Sequence, residues 1–414
     1  MRISSSQLFQ TGLNAINAQQ ADVMHVYQQI ASGQRMVTPA DDPLAASQAI
    51  NIAQSQSLNQ RFAANRDVAS RNLGTEDNVL GTVTTQMQAI KASLVQAGNG
   101  ALSDVDRATL ADTLSSAKSS LLTLANSTDD NGQYLFSGSQ GTQAPFVADA
   151  SGTVTATLGV SGQRLIQVDP TRQMASSDLG ADIFVRATPG TQVYLTAAAS
   201  GNTGTGQIGT PTVTDPLGAN VAKNFSISFN GSPLQYTINM TDAAGVAAGS
   251  VGPLAYQANS TMLDLTGGVQ IQFSGQPSAG DTFTVDRAVP ANLNVFSTLD
   301  DAIAALKAPS AGNAAASVAL SNALSTAIQK TSVVYDNVLA VRASVGSRMN
   351  EIDALNASGT QRDVGYSTQL SQLESVDYYA ASTQLQLRQS ALDAASLAFK
   401  KIQGNSLFNM GNGG

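Results

Sequence analysis

The apolar positions of this chain fall into two regimes. Near the N-terminus Phe9, Leu13, Ile16, Gln20, Val23, Tyr27 and Ile30 recur at alternating spacings of four and three with one polar interruption, as on a helix that seeks a partner along one narrow seam. Ala69, Leu73, Glu76, Leu80, Val83, Met87, Ile90 and Leu94 repeat the pattern on a second, long helix, and Leu110, Leu114, Ala117, Leu121 and Leu124 on a third. It returns near the other end through Leu320, Leu324, Ala327, Thr331, Val334, Val338, Val341, Val345, Arg348, Ile352 and Leu355. A last helix, over about 377–403, is expected to carry Leu373, Val376, Ala380, Leu387, Ala394 and Leu397 on its seam. Such stripes read as packing surfaces, not as cofactor boxes.

Between the two halves the period drops to two. "TVTATLGV" (153–160), "NFSISF" (224–229), "QYTINM" (235–240), "VQIQFSG" (269–275) and "DTFTVD" (281–286) alternate like half-buried strands, and Gly, Pro and Asn turns separate them. Residues 146–292 hold no Glu and about half of the chain's 35 Gly, a composition break that marks a separate unit. The predicted fold class is therefore α+β: a long antiparallel coiled-coil helical rod formed by the N- and C-terminal regions, with an inserted β-rich domain. Its expected parts are a terminal helical pair (1–42 and 376–414), a helical rod domain (43–145 and 293–375) with a β-hairpin near 131–146, and the β-rich insert (146–292).

Helix stop and start signals are concentrated in "SGQRMVTPADDP", Ser32 to Pro43. Gly33 suits the positive φ that ends a helix, and Pro39 pushes Thr38 toward an extended conformation. Asp42 suits an N-cap, and Pro43 the first helical position, where a missing N–H costs nothing. The stretch reads as stop, extended elbow, start.

Composition narrows the chemistry. Only 12% of residues are charged, against a typical value of about 25%, and the net charge is −8, which argues against a nucleic-acid partner. Without Cys there is no disulfide, thiolate catalysis or Cys-based metal site. The first twenty residues show no continuous apolar run, so no ordinary secretory signal peptide is expected, and no stretch is apolar enough to insert in a membrane as a helix. "GTGQIG" (204–209) matches a dinucleotide fingerprint as a string, but no strand enters it and Pro211 blocks the helix that should follow, so a flexible loop is expected. His25, the only histidine, reads as a partly exposed residue of the first helix. Asp41-Asp42 and Asp129-Asp130 sit at helix boundaries, where capping accounts for them. No catalytic, cofactor or metal site assembles, and the chain is not expected to be an enzyme.

Five stretches carry a family resemblance: "MRISSSQLF" at the start, "SGQRMVTPADDPLAASQAI" at the elbow, "NGQYLFSGSQGTQAPF" (131–146), "YDNVLAVRASVGSRMNEID" (335–353) and "DYYAASTQLQLRQSALDAASLAFKKI" (377–402). On these the chain resembles the flagellin superfamily, and within it the flagellar hook-associated proteins of the hook–filament junction (FlgL type). Flagellins proper look similar but usually read "SSG-R-NSA-DDAAG" at the elbow, where this chain has "TPADDP". The resemblance implies a structural subunit that self-assembles into a ring joining hook to filament, the alternative being a flagellin that forms the filament itself. It further implies export through the flagellar type III apparatus to an extracellular site, with an export chaperone at the C-terminal region. The implied neighbours are a hook-associated protein on the hook side and flagellin or the filament cap on the distal side, with no nucleic acid and no membrane insertion. The terminal helices would form an inner layer, with the elbow crossing outward. Phe9, Leu13, Ile16, Val23, Ile30, Arg35, Pro39, Asp41, Asp42, Pro43, Leu373, Val376, Leu387 and Leu397 are the expected assembly-interface residues.

Overall fold

A computed structural model describes residues 5–157, 159, 161–190, 193–257 and 261–411; the first four residues of the N-terminal motif lie outside them. Six α-helices are described: α1 (Ser5–Ser32), α2 (Pro43–Ala97), α3 (Asp104–Ala125), α4 (Val295–Lys307), α5 (Ala314–Glu374) and α6 (Tyr378–Gly411). Twelve strands lie between α3 and α4: β1 (Phe146–Ala148), β2 (Val154–Ala156), β3 (Leu165–Asp169), β4 (Arg172–Ala175), β5 (Tyr194–Ala198), β6 (Gln207–Val213), β7 (Asn224–Asn230), β8 (Gln235–Thr241), β9 (Ala247–Ala255), β10 (Thr261–Asp264), β11 (Val269–Ser274) and β12 (Thr282–Arg287). The fold is thus α+β. The chain forms two compact units, Met1–Ala64 with Ala354–Gly414, and Asn65–Asp353.

In the larger unit the two long seams are buried as their spacing predicts. Ala69, Leu73, Leu80, Val83, Met87, Ile90 and Leu94 of α2 are all buried, as are Leu320, Leu324, Ala327, Val334, Val338, Val345 and Ile352 of α5. The helices run antiparallel, since Asp77 of α2 pairs with Arg342 of α5 at 3.0 Å while Gln88 bonds to Tyr335 at 2.8 Å. Helix α3 begins with a complete capping box: the Ser103 hydroxyl accepts from the Asp106 amide, and the Asp106 carboxylate accepts from Ser103 N. Its buried face comprises Arg107, Ala111, Leu114, Lys118, Leu121 and Ala125, one step off the expected frame at alternate positions. Lys118 explains part of the shift, because its amine is held by Asp300 and by the Gly152 carbonyl.

Where a hairpin is expected at 131–146, the chain instead makes a turn-rich loop with a single bridge, Thr128 to Tyr134. The Asp129 carboxylate accepts from the amides of Asn131 and Gln133, so the side chain closes the turn and leaves no ladder to extend. The first laddered hairpin is β1–β2, which pairs Phe146 with Ala156.

The strand-rich region contributes to two separate cores. Phe146, Val154, Ile183, Phe184 and Leu195 join the helical core, where Phe146, Phe184 and Phe296 pack with centroids 5.5–6.2 Å apart. The second core lies in an antiparallel sandwich. A five-stranded sheet, ordered β5-β12-β7-β8-β9, faces a three-stranded sheet, β10-β11-β6. Alternation decides which side chains enter it: Phe225, Ile227 and Phe229 of β7 and Phe283 and Val285 of β12 meet Ile208, Leu263, Ile271 and Phe273.

Helix α5 holds the sandwich by taking the place of a neighbouring strand. Asn322 accepts from Ile208 N and donates to Gly206 O, Thr326 donates to Thr196 O, and Gln329 accepts from Thr196 N. These residues recur at helical spacing, so one helix face satisfies main-chain groups of β5, of β6 and of Gly206 just before it that an edge would otherwise leave open.

"GTGQIG" is no flexible loop. It turns into β6, and the buried Asp281 carboxylate accepts from the amides of Thr203, Gly204 and Ser278. Gly204 lies against main chain: a Cβ there would stand 2.3 Å from Ser278 N. Amides that a phosphate would need at Thr203 and Gly204 are already occupied.

Candidate assembly interface

The elbow lies in the smaller unit and begins where α1 stops. Gly33 takes φ +71°, the left-handed conformation that ends a helix. The chain then pairs with the short link between α5 and α6. Gln34 bridges Ser375, Arg35 N donates to Glu374 O at 2.6 Å, and Val376 N donates to Gly33 O at 3.0 Å. Arg35 reinforces the crossing: its Nε donates to Leu373 O at 3.1 Å, and a terminal nitrogen lies 3.4 Å from Asp42. Gln29 of α1 donates to Arg35 O at 2.6 Å.

The middle of the elbow is a knot, not an extended span. Pro39 occupies the second position of a turn in which Asp41 N donates to Thr38 O, the place its fixed φ favours. The Asp41 carboxylate accepts from Val37 N at 2.9 Å, Thr38 N at 2.8 Å and the Thr38 hydroxyl at 3.0 Å, and His25 Nε2 lies 3.1 Å away. Hydrogen bonding, first from the Thr38 amide, pulls its pKa down to about 2. Asp42 then caps α2 by accepting from Ala45 N at 3.0 Å, with Pro43 at the first helical position. Under the knot is a hollow of about 230 Å³ lined by Met36, Val37, Pro39, Ala49, Ile50 and Glu374.

Beside the elbow α1 and α6 lie antiparallel, tied by the Phe9–Phe399 ring contact at 5.1 Å and by Arg388 with Asp22 at 2.5 Å. The inward positions of α1 are Gly12, Ile16, Gln19, Val23, Val26 and Ile30, continued at the helix start by Phe9, which is 42% exposed but touches Phe399. Phe9, Ile16, Val23 and Ile30 stand in the expected frame, while the alternate positions fall one residue earlier, at Gly12, Gln19 and Val26. Close approach explains the shift at one end, because a Cβ on Gly12 would stand 2.6 Å from the Phe399 ring. Leu13 is a half-buried flank, and Tyr27, on the expected seam, is 59% exposed.

The α6 seam differs more. Ala381, Leu385, Arg388, Leu392, Ala395 and Phe399 face α1, whereas Leu387 and Leu397 point outward at 68% and 61% exposure. Leu373 and Val376 do not belong to α6. Leu373 is in the last turn of α5, and Val376 is in the link, placed there by its bond to Gly33. The interface residues named from sequence therefore separate into three groups: the α1–α6 seam, the elbow and its link, and an outward face formed by Leu387 and Leu397. His25, Gln34, Glu374 and Ser375 complete the elbow and were not among them. Gln34, Glu374 and Ser375 act there through the main chain, which leaves no trace in side-chain pattern.

Among the described residues no group of three His, Asp or Glu side chains is placed to hold a metal ion, and no helix is long and apolar enough to cross a membrane.

Residues 3–141 match the family model for the bacterial flagellin N-terminal helical region. Over 410 residues, 99% of each chain, the sequence is 30% identical to flagellar hook-associated protein 3 of Escherichia coli, and 29% identical to its namesake from Salmonella typhimurium. Among solved structures, FlgL of Xanthomonas campestris is 27% identical with a TM-score of 0.65, covering 77% of this chain and 99% of that one. Hook-associated protein 3 of Legionella pneumophila is 25% identical with a TM-score of 0.68, covering 78% and 98%.

Proposed function

This chain belongs to the flagellar hook-associated protein 3 family, and from that premise we propose that it is a structural subunit of the bacterial flagellum, seated where hook meets filament. Copies assemble there into a short adaptor ring. A hook-associated protein adjoins the ring on the hook side, and flagellin or the filament cap on the distal side. The subunit reaches this extracellular site through the flagellar type III apparatus, its C-terminal region held beforehand by an export chaperone. Its work is mechanical, not enzymatic, and needs no cofactor.

One observation carries the reading: the likeness to hook-associated protein 3 runs the length of the chain, 99% of both sequences, and is not confined to the N-terminal helical region that the flagellin family model covers. The outward faces of the terminal helices support it. Met24, Tyr27, Tyr379, Leu387 and Leu397 are all more than half exposed, an apolar surface suited to contact with further subunits. In this reading the elbow contacts neighbouring subunits as well as its own chain.

Electron microscopy of a strain lacking the gene tests the proposal. Hooks without filaments are expected, with filaments restored by the gene in trans; normal filaments on the deleted strain refute it. Copy number on purified flagella separates the junction subunit, present in few copies, from a flagellin that makes up the filament bulk.

A further inference from the structure

Two heptad seams of the larger unit each carry one charged interruption, Glu76 in α2 and Arg348 in α5. The structure brings both to the same place, with Asp178 inserted from the segment that follows β4. Glu76 is fully buried. One of its oxygens accepts from Asp178 N at 3.1 Å; the other, Oε2, is buried with no hydrogen-bond partner. Arg348 pairs with the Asp178 carboxylate and donates to Ala175 O at 3.1 Å. The nearby charges are already matched: Arg172 of β4 with Glu351 of α5 at 2.6 Å, and Arg342 of α5 with Asp77 of α2 at 3.0 Å. Arg164 donates to Gly138 O.

The cluster therefore sets two carboxyl groups against one guanidinium. Beside the half-buried Asp178 carboxylate a second, fully buried carboxyl resists ionising, and Glu76, with an unpartnered oxygen and no arginine on it, keeps the proton. We propose that Glu76, Asp178 and Arg348 form a one-proton latch that fastens residues 176–180 to α2 and α5, closed while Glu76 is a neutral acid and released when it ionises. The strap matters because it leads into a π-helical turn, Ala181–Val185, that buries Ile183 and Phe184 in the helical core. Burial, and then the Asp178 charge, push Glu76 up to about 8 from the ordinary 4.5. A raised carboxyl favours the fold in its neutral form. Its contribution is full below about pH 4.5, erodes above that, and is gone once pH has passed about 8.

The chain offers a clean test because it has only three Glu: Glu76, Glu351 and Glu374. Full-length protein labelled with 13C at the glutamate carboxyl carbon gives three signals to follow by NMR. One is expected to titrate near pH 8, and Glu76→Gln should remove it. Hydrogen exchange supplies the second arm. Protection of 176–184, corrected for intrinsic exchange, should fall by up to about tenfold per pH unit between about pH 4.5 and 8 and level off above that in the wild type, and stay level throughout in Glu76→Gln, with α3 unaffected in both. If all three signals titrate in the ordinary carboxylate range, the proposal is overturned by the wild-type chain alone. A parallel loss of protection in wild type and Glu76→Gln overturns the latch as well.

Discussion

Asp41 and Glu76 are carboxyl groups with opposite surroundings. Asp41 is ringed by donors and held charged; Glu76 is buried where one oxygen finds none. For Asp41 the depressed pKa means that its hold on the elbow is present above the ordinary carboxylate value of 3.8 and is lost as pH falls through about 2. The amide resonances of Val37 and Thr38 should accordingly move together with a midpoint near 2, and Asp41→Ala should abolish that transition and expose both amides to exchange. Unchanged amide shifts across this range would remove Asp41 as the centre of the knot. The capping role of Asp42 is readable from its place before Pro43, because caps are local chemistry. The Asp41 knot is equally local in its Val37 and Thr38 donors, but an aspartate just before an N-cap reads as a second cap, and its contact with His25, 16 residues earlier, leaves no mark in the spacing.

At the level of elements, the α2 and α5 seams were legible because each long helix buries one narrow face against the other, and a heptad frame over many turns admits one solution. The terminal helices are rich in Ala, Leu, Ser and Gln, so α6 carries two frames of comparable apolarity: Ala381–Leu385–Leu392–Phe399, and Ala380–Leu387–Ala394–Leu397. Spacing does not choose between them; the partner does, through Gly12 and Asp22. Paired substitutions expose the difference. Leu385→Asp should lower the thermal midpoint of the monomer, at a cost of about 1–3 kcal/mol for a half-buried site. Leu387→Asp should leave the midpoint nearly unchanged while abolishing filament attachment in a motility assay. Equal midpoints for the two variants would contradict the observed register. On α5, Asn322→Leu strips a buried partner from both Ile208 N and Gly206 O and should cost about 2–4 kcal/mol in a denaturant melt, against under about 1 for an exposed substitution such as Ser347→Ala.

For the molecule as a whole, two cores mean that the strand-rich region is not a single removable block. Residues 146–187 supply the helical core with Phe146, Val154, Ile183, Phe184 and Ala187, whereas the sandwich closes largely on itself. Since Ala198 pairs with Phe283, the ends left by removing 199–282 are neighbours, and an Asn-Gly turn can join β5 to β12. With Phe283 and Val285 changed to Thr, that shortened chain should keep a cooperative helical melt by circular dichroism. Removing 146–292 should destroy it. The composition break was legible at its outer edges; the inner division was not, because the aromatic residues that serve each core look alike in sequence.

The elbow also fixes an order in time. Arg35 and Leu373 meet across 338 positions, so their contact closes a loop containing most of the chain's 414 residues. However early the middle helices settle, that closure waits until the chain as far as Leu373 is available to fold. Until then each terminal helix is single, with its seam open to whatever is nearby. The bridge between Gln34 and Ser375 thus records that two distant stretches have both become available to fold, and only with it in place are α1 and α6 set side by side as partners.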